Sequence, residues 1–152
     1  MRRYLLCLLL TLGSIGQALA QKTFIDHFSD MDGVSSVYIS KTMIRLLPKL
    51  EVNNKDLKHL AGKIDGIQIL NADEPAPARK LKEGAQALIK KLSYEPLMEM
   101  KDDDTRTNIY LLDLGKGRSA FALLASEPDA TSLIVITGTL SVEDIKKITD
   151  RP

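Results

Sequence analysis

Tryptophan is absent, aromatic side chains make up only 5% of the chain, and its 152 residues include a single cysteine. One thiol builds neither a disulfide framework nor a thiolate zinc site. Neither sign of charge dominates, with 21 Lys+Arg against 20 Asp+Glu. Nucleic-acid binders carry a strong basic excess, so this balance argues against that class. Long apolar runs are missing as well. The longest, Tyr4 to Leu12, falls far short of the ~20 residues needed to span a bilayer as a helix. Nor does the chain contain HExxH, GxSxG or GxxxxGK[ST], an internal repeat, or a low-complexity segment.

What is present is an ordinary globular composition, 44% hydrophobic and 27% charged. This excludes a disordered chain, and the length allows one domain. The first residues have an organisation of their own. Arg2 and Arg3 give a positive start, YLLCLLLTL follows, and Ala18-Leu19-Ala20 supplies the small-x-small pattern of a signal-peptidase site. The sequence therefore predicts a signal peptide over 1–20 and a single α+β domain over 21–152, exported to the periplasm or secreted. Cleavage would remove Cys7, leaving no thiol for catalysis or redox exchange. It would also remove Arg2 and Arg3, taking Lys+Arg from 21 to 19 against 20 acids, a net charge of about −1.

In the expected domain, Phe24, Ile25 and Phe28 suggest a short first helix, and Ser35 to Ser40 reads as a strand. Met43, Leu46, Leu47 and Leu50 share one helical face until Pro48 intervenes. Asn54 would cap a second helical piece bearing Leu57, Leu60, Ala61 and Ile64. Asp65-Gly66 reads as a turn before the strand Ile67 to Leu70, and Asn71 to Pro77 as a loop. The clearest helix runs from Ala78 to Leu92, with Leu81, Ala85, Leu88, Ile89 and Leu92 on one stripe. Four strand-like runs follow (94–101, 107–114, 119–126, 132–140), separated by the turns DDDTR, GKG and EPDAT. The last run is apolar on both faces and belongs in the centre of the sheet. Ser141 and Asp144 form a capping box for a final helix, Val142 to Ile148. The expected architecture is a mostly antiparallel sheet with a C-terminal four-strand meander and helices packed on one face.

Candidate chemistry is sparse. His27 and His59 lack co-ligands at metal-binding spacing and read as surface histidines. Asp26, Asp30 and Asp32 form one acidic cluster and Asp102, Asp103 and Asp104 another. Asp30-Met31-Asp32-Gly33 starts like a calcium loop but lacks the later oxygen ligands. Met98 and Met100 flank Glu99 in a strand, so both thioethers face one way. That suits either core filling or a soft Cu(I) ligand pair without a third partner. Gly115-Lys116-Gly117 reads as a hairpin turn. No cofactor or metal is expected. The outer side of the 78–92 helix carries Arg79, Lys80, Lys82, Lys90 and Lys91 against Glu83, a basic face suited to solvent, to an acidic partner or to anionic lipid.

The blocks FIDHFSDMDGVSSVYISKTM, IDGIQILNAD, YEPLMEMKDDDTRTNIYLLD and SLIVITGTLSVEDIKKI occur in this order. Together they resemble an uncharacterised exported family of Bacteroidota, domain of unknown function forty-two fifty-two. The resemblance implies a small secreted protein and carries no catalytic residues. Many such proteins have a lipoprotein cysteine, for which Cys7 lies too early. The expectation is a non-enzymatic module that binds an envelope protein or peptide. The alternative is a carboxylate-based hydrolase acting on envelope material, which requires a cleft with two facing acids.

Overall fold

Alternation of apolar and polar residues, broken by short turns, makes the second half of the chain a run of hairpins. The computed structural model describes residues 19–47, 51–52, 55–56 and 58–149. In chain order these form α1 (19–29), β1 (Val34–Ser40), α2 (Lys41–Leu46), β2 (Glu51–Val52), β3 (Lys55–Asp56), α3 (Lys58–Ala61), β4 (Ile64–Ala72), α4 (Pro75–Lys91), β5 (Glu95–Asp102), β6 (Thr105–Gly115), β7 (Arg118–Ser126), β8 (Thr131–Gly138) and α5 (Val142–Thr149). Six strands make one antiparallel sheet in the order β1-β4-β8-β7-β6-β5. The fold is α+β, and β5 to β8 are the expected meander. β8 lies between β4 and β7, where its two apolar faces are both used. Between β6 and β7 the two-residue turn has positive φ at Lys116 (55°) and Gly117 (74°). That backbone matches the right-handed twist of a hairpin.

Four local readings differ from the structure. The helical piece expected from Asn54 to Ile64 shrinks to α3, because Lys55–Asp56 pairs as β3 and Ile64 already belongs to β4. α4 begins at Pro75, inside the expected loop, because prolines fit the first helical turn, where no intrahelical donor is required. β4 starts at Ile64, so Asp65-Gly66 is not a turn. The register shifts between Ile64 and Gly66, marking a bulge at Asp65, and the Tyr38 ring lies over the bare Gly66 backbone. α2 ends at Leu46 and buries Ile44, while Met43 and Leu46 are exposed. With Ser40 as its N-cap, accepting a hydrogen bond from the Met43 N–H at 3.2 Å, the short helix turns a different side to the sheet. Leu50, Asn54 and Leu57 lie outside the described residues.

α1 and α4 cover one face of the sheet, while α2, α3 and α5 pack on the other, so the helices are not confined to one face as the sequence pattern suggests. The α4 stripe of Leu81, Ala85, Leu88 and Ile89 packs on Leu70, Leu133, Val135 and Leu124, with Ala120 and Ala122 leaving room beneath it. Gly84 lets α1 approach: a Cβ there would lie 2.5 Å from the Phe28 ring. The Phe24 and Phe28 rings are 4.7 Å apart. Tyr94, buried in the same core, donates its hydroxyl to Gln21 Oε1 at 2.7 Å, tying α1 down, and burial pushes its pKa up.

The second face is occupied at one end by the short helices. Ile44 of α2, Leu60 of α3 and Ile145 of α5 join Ile64, Ile109, Phe121, Ile136 and Leu140 in a second core. Gly138 closes this end. The Thr139 N–H donates to the Lys63 carbonyl at 2.8 Å, and that carbonyl occupies the space a Gly138 side chain would need.

The capping box of α5 is formed as expected. Ser141 N–H donates to Asp144 Oδ2 at 3.0 Å, and Asp144 N–H donates to Ser141 Oγ at 3.2 Å. Lys63 Nζ reaches the same carboxylate at 3.0 Å. The Ser141 backbone donor holds the Asp144 pKa below the ordinary carboxylate value against the upward push of burial, and Lys63 adds to the lowering. A depressed folded pKa gives stability that is present above the unfolded value and lost as pH falls through the folded one. Asp144→Asn is therefore expected to lower stability by about 1–3 kcal/mol at neutral pH and to flatten the loss of stability below about pH 4. Urea titrations of both proteins across that pH range check it. Equal acid sensitivity in the two would contradict the role given to this carboxylate.

Candidate functional site

Strand register decides which side chains lie side by side on the second face. Opposite one another across all six strands stand Val37, Ile69, Ile134, Leu123, Ile109 and Met98. Every member of this row is apolar. Its ends are open, with Val37 48% exposed and Met98 39% exposed. Ile69, Ile134 and Leu123 are partly exposed, and Ile109 is buried. The next row toward the short helices holds Ile39, Ile67, Ile136, Phe121 and Leu111, ending on Glu95. The row on the other side holds Ser35, Asn71, Ser132, Ala125, Thr107 and Met100. There Ser132 Oγ donates to Asn71 Oδ1 at 2.6 Å. Glu95 is the one charged residue in the three rows. Met100, Met43 and Leu46 add exposed apolar surface on β5 and α2.

Met98 and Met100 do face the same way, as their spacing requires, but on an exposed edge strand rather than in a core. Among the described residues, no group of three or more His, Cys, Asp or Glu is arranged to hold a metal. His27 and His59 are both exposed.

The basic positions of α4 are dispersed. Arg79 and Lys82 line a cleft of about 760 Å³ between the start of α4, the β5–β6 hairpin tip and the β7–β8 loop. Lys101 and Arg106 join them there, but so do Asp103, Asp104, Glu127 and Asp129. Lys80 lies in a separate depression with Asp32 and Glu74. Lys91 borders a third, beside Phe24 and His27, and Lys90 is exposed near the helix end. The apolar stripe of α4 packs on the sheet, so the helix turns its charged residues outward. Among the described residues, no helix is long and apolar enough to cross a membrane.

The four cleft carboxylates are all exposed, where water screens them. Two other carboxylates are strongly engaged, and both lie elsewhere. Asp144 caps α5. Asp65, at the β4 bulge, accepts from Lys41 at 3.2 Å and Arg118 at 2.9 Å. Burial raises the Asp65 pKa, but these two cations outweigh it and the net shift is downward. Each of the two carboxylates is tied into the fold, with its lone pairs committed to neighbours.

Sequence reasoning did not assemble the apolar row. Its signal is present as apolar pairs two residues apart: Val37/Ile39, Ile67/Ile69, Ile134/Ile136, Phe121/Leu123 and Ile109/Leu111. Only the strand order places them in line.

No curated protein and no solved structure matches the chain. Residues 28–148 match the family described as domain of unknown function (DUF4252). That span runs from the end of α1 into α5 and includes the whole six-stranded sheet. The chain belongs to the DUF4252 family.

Proposed function

We propose that this protein is a small exported, non-enzymatic interaction module of the cell envelope, which docks an envelope protein or peptide on the open face of its sheet. The observation that carries the reading is the uninterrupted apolar row from Val37 to Met98, open to solvent at both ends. Exposed apolar surface of this kind marks interaction sites. The near absence of charge in the three rows selects an uncharged, apolar partner segment over an acidic or basic one. Met43, Met98 and Met100 suit such a partner, because unbranched thioether chains adapt to irregular shapes. Export rests on the Arg2-Arg3 start, the apolar run and the Ala18-Leu19-Ala20 site.

A photo-crosslinking residue placed at Met100 tests the docking face. In intact cells it is expected to give a discrete adduct with an envelope protein, abolished by Met98→Lys. The same crosslinker at Lys90 should give none. Equal adducts from both positions, or a Met100 adduct indifferent to Met98→Lys, would refute the proposal.

A further inference from the structure

The two edges of the sheet are built differently. At β5 the edge is guarded: Pro96 lacks a backbone donor, the register shifts between Pro96 and Met98, and Glu99 and Lys101 are charged. These are the usual devices against edge-to-edge pairing. At β1 none of them is present. Val34–Ser40 (VSSVYIS) has no charge and no proline, pairs with β4 in unbroken register, and is exposed from Ser35 to Tyr38. Val37 is 48% and Tyr38 65% exposed.

We propose that β1 is a homodimer interface, in which β1 of one copy pairs antiparallel with β1 of a second copy about a two-fold axis at Val37. The flanking charges favour this occupant. Asp30 and Asp32 precede the strand, and Lys41 and Arg45 follow it. Antiparallel self-pairing brings the acidic end of each copy to the basic end of the other, twice by symmetry. Lys41 is 42% exposed beyond its contact with Asp65 and has donors to spare. Within the strand the pairing sets Val37 against Val37, Ser36 against Tyr38 and Ser35 against Ile39, with no like charges opposed. The result is one continuous twelve-stranded sheet, in which the apolar row of one copy runs on into that of the next. The two readings share Val37, so they are told apart by readout: sedimentation reports the dimer and the Met100 cross-link reports docking, and Met98→Lys, at the opposite end of the row, touches only the second.

Analytical ultracentrifugation of the purified protein is expected to give twice the monomer mass. Val37→Lys, which opposes two cations on the axis, should give the monomer mass with a native circular dichroism spectrum. Met98→Lys, on the guarded edge, should leave the dimer intact. In a Cys7→Ser background, Val37→Cys should cross-link on mild oxidation, and Met98→Cys should not. A protein that sediments as a monomer at every accessible concentration would overturn the proposal. So would a dimer that survives Val37→Lys or is dissociated by Met98→Lys.

Discussion

Phe121→Ala is expected to cost about 3–5 kcal/mol, the range for removing a fully enclosed aromatic ring. Phe121 is 0% exposed. It lies on β7 between Ile136 of β8 and Leu111 of β6, in the core shared with Leu60 and Ile145 of the short helices. Its strand is paired on both sides, so the backbone cannot move in to fill the void, and the cost should sit toward the upper end of the range. Guanidinium unfolding followed by circular dichroism measures it. A loss below about 1 kcal/mol would mean that α3 and α5 rest on the sheet without packing into it, since even Ile→Val in a packed core costs about that much.

Gly138→Ala should cost a comparable amount, about 3 kcal/mol, for a different reason. It removes no contact. The added methyl would meet the Lys63 carbonyl oxygen, with the Ile64 Cα 3.0 Å away. Both obstacles are backbone, so relief requires moving the start of β4 away from the end of β8. That shift would break the hydrogen bond from the Thr139 N–H to Lys63 and disturb the Lys63 side chain that holds Asp144. The variant is therefore expected to lower the melting temperature and also to weaken the acid-sensitive contribution of Asp144. Melting curves at neutral and acidic pH read both effects. A melting temperature within experimental error of the parent would show that the β4–β8 crossing has slack that the structure does not display.

The meander was legible because each of its strands carries its own period and each turn its own chemistry. Asp103, Lys116 and the glycines on either side of Lys116 adopt the positive φ that short hairpins need. The α5 capping box was legible for the same reason, since Ser141 and Asp144 act across three residues. Errors arose where a local signal was overridden. Pro75 and Pro77 read as breakers but sit in the first turn of α4, where proline is tolerated. Asp65-Gly66 reads as a turn, but the bulge gives Asp65 two cationic partners and Tyr38 shields Gly66, so the strand continues. Met43 and Leu46 have helical spacing yet face solvent, because Ile44 takes the place against the sheet.

The interaction surface was the least legible part, for a geometric reason. A row across six strands joins residues as far apart in sequence as Val37 and Ile134, and its membership depends on which strands are neighbours. Period-two alternation shows that Ile67 and Ile69 share a face, but not that Ile69 stands opposite Ile134. The basic face of α4 shows the converse. Its charges are obvious in sequence, but the fold scatters Arg79, Lys80 and Lys91 among three depressions shared with other elements.

The strand order also divides the sheet into two kinetic parts. β5, β6 and β7 each pair with the next strand along the chain, so closing those hairpins costs little loop entropy. The seam between β4 and β8 joins segments separated by α4 and three strands, with Leu70 opposite Leu133, and must close a much larger loop. The meander can assemble first and offer β8 as a template, leaving β4 and then β1 to dock last. Amide exchange that opens β1 and β4 before β6 and β7 would be the equilibrium trace of that order.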